Sequence, residues 1–351
     1  MANCAGALKP GSRCAAEAQS GQASRLSHVS SVANSAGSAR KKIVRVKMNR
    51  REFSRAAGTF LAAVPSLSSA RMSAEAPDSA SGAPFDVSVM LWTVFQDLPF
   101  EVRLDKVAAA GYRNVELVGE YEHWSDADFD RANAKRKQLG ITFDCTAGLK
   151  HGLCNPAERN ALIAEFRRTI PIMERLDCPA MIFLSGNVVP GMTIEAQHQS
   201  CIDGLKAAVA LVEGKRINGR PVRVLLENID PEENPHYFLT SVARGFEIVQ
   251  AVNHPQVKFL YDFFHEQISE GNLIEKLEKN IEHVGLVHVA DVPGRHEPGT
   301  GEINYENIFR KLAELKYKEI VAMEFRPTGD PVEQLRAARE MALRAGAVRT
   351  A

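Results

Sequence analysis

The sequence predicts an α/β protein of the (β/α)8 barrel, or TIM barrel, class. Eight short apolar or β-branched runs alternate with segments of helical spacing across residues 85–346. The phrases that close the helices also recur. AAAGYRNVEL, KQLGITFDC, ERLDCPAMIFL and AELKYKEIVAMEF each break on small or polar residues and then enter a strand. Eight such units in about 260 residues match the size of one closed barrel. An open doubly wound sheet, the alternative, wants a glycine-rich phosphate turn after its first strand, and MLWTVFQDLPFEV has none.

The expected strands are 87–92, 114–118, 142–145, 180–184, 222–227, 258–262, 284–290 and 320–325. Helical periodicity between them is carried by Leu104, Val107 and Ala108, and by Leu162, Phe166, Ile170 and Met173. It returns in Leu205, Ala208, Val209 and Val212, and again in Ile308, Phe309, Leu312 and Leu315. Ser125 in EYEHWSD is an expected helix N-cap.

Residues 1–47 are rich in Ala, Ser and Gly and have little apolar periodicity, which points to disorder or to an over-extended start, with Met48 as a plausible initiator. Residues 48–76 place the pair Arg50 and Arg51 before Phe53, then a short apolar stretch, then small-residue cleavage sites after Ala70 or Ala76. That order is a secretory signal and resembles the twin-arginine export type, which implies a periplasmic protein, or a cytoplasmic one if the signal is not used. Residues 77–84, with Pro77, Gly82 and Pro84, read as a linker.

The 351 residues carry 43 basic and 43 acidic side chains, so no global field draws the protein to nucleic acid or to an anionic membrane. No apolar run approaches the roughly 20 residues of a membrane span. The six cysteines form no zinc-type spacing. A Cys145–Cys154 bridge is open only in an oxidising compartment. The expected partner is therefore a small molecule, and a homo-oligomer is compatible with the chain.

Catalytic groups of such barrels sit where strands run out into the following loops. The fifth expected strand ends in Glu227. The sixth ends in Asp262, with His265 three residues on. The seventh carries His288, and the eighth ends in Glu324. A carboxylate on an apolar strand is costly to bury unless it is paired or holds a cation. Four such positions on adjacent strands converge on one point at the barrel mouth. Three carboxylates and an imidazole suit one divalent ion, Mg²⁺ or Mn²⁺ first, with the imidazole admitting Co²⁺ or Zn²⁺. After the seventh strand, Arg295 sits in a loop stiffened by Pro293 and Pro298, with Gly299 and Gly301 for the turn. Glu233, six residues after Glu227, is placed to bond a substrate hydroxyl or to remain a solvated acid. Lys150 and His151 follow the third strand and are weaker candidates for the pocket. Glu302 is an expected anchor of the loop through backbone N–H groups. Trp92 and Trp124 are candidates for a pocket wall or for ordinary packing.

The stretches LLENID, FLYDFFHEQISEGNL, HVADVPGRHEPGTGEINY and AMEFRP resemble the hydroxypyruvate isomerase family, within the xylose isomerase-like barrels. The likeness covers roughly residues 87–327 and is strongest from 225 onward. It implies a divalent metal held by Glu227, Asp262, His288 and Glu324, and proton exchange by Glu227 and Glu324. It further implies that His265 and Arg295 contact substrate oxygens. The hydroxypyruvate isomerase pattern tends to carry glutamine where this chain has His288, whereas the related ketose 3-epimerases carry histidine.

These residues suit proton transfer on an α-hydroxy carbonyl compound. Returning the proton to the neighbouring carbon is isomerisation, and returning it to the same carbon from the other face is epimerisation. Two other classes stand beside this one. A multinuclear endonuclease or hydrolase needs more ligands, but strands two to four end in VELVGE, FDCTAG and IFLSGN, with Glu116, Asp144 and Asn187 and no histidine. A carbohydrate-binding barrel without catalysis would have no need of both Glu227 and Glu324.

Overall fold

The computed structural model describes residues 82–347. The expected export signal and most of the linker lie outside the described residues. Eight parallel strands form the barrel: β1 (Asp86–Met90), β2 (Asn114–Val118), β3 (Thr142–Ala147), β4 (Ala180–Leu184), β5 (Arg223–Glu227), β6 (Val257–Asp262), β7 (Val284–Val289) and β8 (Ile320–Met323). Each pairs with its sequence neighbours. β8 closes onto β1 with Asp86 opposite Ile320 and Val89 opposite Met323. The helices are α1 (Phe100–Ala109), α2 (Asp126–Leu139), α3 (Arg159–Arg175), α4 (Ile194–Val209), α5 (Val242–Val252), α6 (Phe263–Ser269), α7 (Leu273–Asn280), α8 (Tyr305–Glu314) and α9 (Pro331–Ala345).

Alternating side chains divide the apolar residues into two layers. Met90, Cys145, Ile182, Leu225, Leu260 and Leu286 fill the barrel interior. The opposite strand faces, with Phe183, Phe259 and Val321, pack against the helices through residues such as Phe166, Phe246 and Phe309. Local signals set the helix starts. Ser125 caps α2 in a reciprocal box with Asp128, as expected, and Asp330 caps α9 just before Pro331.

Three local features differ from the expectation. The last strand stops at Met323, so Glu324 begins the following loop. The first stops at Met90, and Trp92 lies in a short 3₁₀ turn, Leu91–Thr93. An unanticipated two-stranded hairpin, Arg216–Ile217 with Arg220–Pro221, precedes β5. Its Asn218–Gly219 turn has φ of 46° and 74°, the left-handed pair that a two-residue hairpin requires. Cys145 and Cys154 are separate buried thiols, so the bridge left open by the sequence does not form.

Candidate functional site

One half of the barrel brings the four expected ligands together. Glu227 and Asp262 are the last residues of β5 and β6, His288 is the penultimate residue of β7, and Glu324 follows β8 directly. Strand register sets Asp262 beside His288. Each of the four offers one donor atom, these atoms lie within 4.8 Å of one another, and all four residues are buried.

The bonds around this group leave one face of each side chain free. Asp262 Oδ1 accepts from the Phe264 N–H at 2.8 Å and caps α6, leaving Oδ2. Glu324 Oε1 accepts from the Trp92 indole N–H at 2.6 Å, leaving Oε2. His288 Nε2 lies 2.9 Å from Glu116 Oε2, leaving Nδ1. Asp262 Oδ2, His288 Nδ1 and Glu324 Oε2 are all buried without a hydrogen-bond partner. Nδ1 approaches Glu324 Oε2 to 2.7 Å and Glu227 Oε1 to 3.6 Å, but distance alone does not give Oε2 a hydrogen bond. Buried polar atoms left in this state are costly. A divalent cation at their focus satisfies them together, so the donor set fits one Mg²⁺ or Mn²⁺, with Co²⁺ and Zn²⁺ compatible.

The expected substrate-contacting residues border this group. Arg295 is 4% exposed and holds φ at 58°, a left-handed conformation unusual for a side chain of its size. Its Nη1 lies 2.9 Å from both oxygens of Glu233, and its Nη2 is 2.6 Å from Glu324 Oε2 and 3.5 Å from Asp262 Oδ2. The guanidinium also sits over the rings of Trp92 and Phe264, at 5.2 and 4.9 Å. His265 Nε2 is 3.3 Å from Asp262 Oδ2, while its Nδ1 is 2.6 Å from Asp230 Oδ2. Asp230, Glu233 and His265 also bring donor atoms within 4.8 Å of one another. There, however, Asp230 is paired with His265 and Glu233 with Arg295.

Charge and burial push these groups in different directions. Burial raises the Glu227 carboxyl above the usual range, more than His288 lowers it. Burial also works to raise Glu324, but Arg295 and His288 together hold it well below that range. Burial opposes a charge on His265, yet Asp262 and Asp230 outweigh it and push the imidazole up to about 9. The pocket above the group is about 180 Å³. Glu227, Glu233, Arg295 and Glu324 line it together with Val118, Ile182 and other apolar side chains. A larger hollow of about 590 Å³, lined by Arg310 and Arg344, contains none of these groups.

Several weaker expectations are corrected. Lys150 and His151 pair with Glu122 and Glu165, and neither lines this pocket. Trp124 packs edge-on against Phe100 and Phe129, an ordinary aromatic cluster, whereas Trp92 does wall the pocket. Glu302 does not anchor its loop through backbone N–H groups; its carboxylate accepts from Gln267 at the surface. Asp291 does that work. One of its oxygens accepts from the N–H groups of Val292 and Ile303, and the other from those of Gly299 and Gly301, all at 2.9 to 3.0 Å. Asp291, Asp230 and the Glu116 bond to His288 were missed as parts of the site. For Glu116 the signal was present, a carboxylate inside the apolar run VELV.

Fold and site together define a barrel enzyme with an acidic, histidine-bearing mouth. The family model described as the xylose isomerase-like TIM barrel matches residues 104–345. The chain is 30% identical over 242 residues to a 2-oxo-tetronate isomerase of Pectobacterium atrosepticum, covering 67% of this chain and 90% of that one. It is 26% identical over 246 residues to the hydroxypyruvate isomerase of Escherichia coli, covering 68% and 93%. Among solved structures, a family 2 AP endonuclease from Brucella melitensis superposes with a TM-score of 0.63 at 26% identity, covering 72% of this chain and 96% of that one. A D-psicose 3-epimerase from Clostridium cellulolyticum, with D-tagatose, superposes at 0.62 and 20% identity, covering 75% and 98%, a likeness of fold. The chain belongs to the xylose isomerase-like TIM barrel family, and with its curated relatives its enzyme class is isomerase.

Proposed function

We propose that the protein is a metal-dependent isomerase of a small hydroxy-carbonyl acid, of the hydroxypyruvate or 2-oxo-tetronate kind. The observation that carries this reading is the focus of three buried atoms that make no hydrogen bond, Asp262 Oδ2, His288 Nδ1 and Glu324 Oε2, beside Glu227. The names of the relatives at 26–30% identity support the substrate class. So does a pocket of about 180 Å³, well below the roughly 300–1,000 Å³ of sites for drug-sized ligands.

Glu227, Asp262, His288 and Glu324 would hold the metal, which when bound supplies Lewis-acid polarisation of a carbonyl oxygen. Glu227 and Glu324 come from β5 and the end of β8, so they flank a substrate lying between them and exchange its carbon-bound proton. Arg295 and His265 bind substrate oxygens. Glu233 holds Arg295 in place through both carboxylate oxygens. Trp92 and the apolar wall exclude water from the reacting carbon. Residues 48–76 act as a twin-arginine signal in this reading, so the protein works in the periplasm.

His288 is the residue that favours a second reading, a ketose 3-epimerase using the same groups. A Glu227→Gln variant tests the assignment common to both. Proton transfer should fall by roughly 10²- to 10⁴-fold with substrate still bound. Undiminished turnover would remove Glu227 from the chemistry.

A further inference from the structure

The four candidate ligands come from the second half of the barrel, and one bond to them crosses its interior. Glu116 lies in the middle of β2, is fully buried, and has its Oε2 2.9 Å from His288 Nε2 on β7. β2 and β7 are not neighbours in the barrel, so this contact spans the interior. Among the described residues His288 is the only side chain to which Glu116 is hydrogen-bonded, and a buried carboxylate with a single charged partner is weak support for a fold. Its role lies in what it does to the imidazole.

An imidazole ligates a cation only through a nitrogen that carries no proton. His288 presents Nδ1 to Glu227 and Glu324, and Nε2 to Glu116. From this geometry we infer that Glu116 is a positioning residue of the metal centre, accepting a proton-bearing Nε2 and so committing His288 to ligation through Nδ1. The inference rests on the metal reading given above. It brings the first half of the barrel into a site whose ligands all come from the second half. Carboxylate partners of ligating histidines act in this way, fixing ring orientation and raising the donor strength of the other nitrogen.

The test uses full-length protein stripped with a chelator and titrated with Mn²⁺, the free ion being followed by its electron paramagnetic resonance signal. Glu116→Leu fills the space without accepting a hydrogen bond and should weaken binding by roughly 10- to 100-fold. Glu116→Gln still offers an amide oxygen to Nε2–H and should bind close to wild type. A folded Glu116→Leu protein with wild-type affinity, or a Gln variant as weak as the Leu variant, would overturn the inference. Because the Leu variant leaves an N–H buried and could misfold, ¹⁵N resonances of His288 in zinc-loaded wild type give a second measurement. A metal-bound Nδ1 and a protonated Nε2 are expected, and the opposite linkage refutes the role of Glu116. Wild-type protein that takes up no Mn²⁺ would sink the metal reading itself. Wild type that binds while Glu116→Leu is unaffected sinks only the role of Glu116.

Discussion

The Trp92 indole N–H donates to Glu324 Oε1 at 2.6 Å, a bond across the seam where β1 meets β8. It ties one carboxylate oxygen of Glu324 and leaves the other facing His288 and Arg295. Phenylalanine at 92 keeps a ring beneath Arg295 and removes only the N–H. A hydrogen bond to a charged group contributes about 1.5–3 kcal/mol, so Trp92→Phe should lower kcat/KM by roughly 10- to 100-fold. The melting temperature should also fall by several degrees, since the same bond is lost from the fold. Steady-state kinetics on hydroxypyruvate checks this, and an unchanged kcat/KM would mean that Glu324 needs no such tether.

Asp291 organises the loop that presents Arg295 by accepting four backbone N–H groups. An asparagine there sets its own N–H₂ against two of those donors. Asp291→Asn should cost roughly 2–4 kcal/mol in unfolding free energy and should raise KM as Arg295 loses its fixed position. Urea denaturation and substrate titration read the two effects. A stable variant with normal KM would show that the loop orders itself.

Glu266, buried on α6 beside Lys276, is pushed up to about 7, mainly by burial. Between pH 4.5 and 7 the folded protein therefore keeps a proton that the unfolded chain has released. The contribution of Glu266 is present below the unfolded value and is lost as pH rises toward 7. Glu266→Gln cannot titrate, so the melting temperature of wild type minus that of the variant should fall from pH 5 to about pH 7 and level off above it. A flat or rising difference would contradict the burial argument.

The barrel was legible because its strands are short apolar runs closed by recurrent breaks, a local pattern. The clustering of the candidate ligands was legible for a related reason: Glu227, Asp262 and Glu324 interrupt or end apolar strands where charge is costly. What escaped depends on contacts between distant segments. Glu116 is separated from His288 by 172 residues, and only barrel closure makes them partners. Asp291 and Glu302 are both acids at the ends of one loop, and which of them clamps it is decided by backbone direction, which residue type does not reveal. Lys150 and His151 follow a strand end like true site residues. They pair instead with Glu122 and Glu165.

The most direct measurement is solvent-proton exchange in D₂O, with protein stripped of metal and then resupplied with Mn²⁺ or Mg²⁺. Hydroxypyruvate and a free ketohexose serve as substrates, and deuterium is followed by NMR. The account predicts metal-dependent uptake of deuterium into a carbon of the short acid together with isomerised product, and loss of both in Glu227→Gln. Uptake that persists without metal, or no uptake into any substrate with the site loaded, would contradict it.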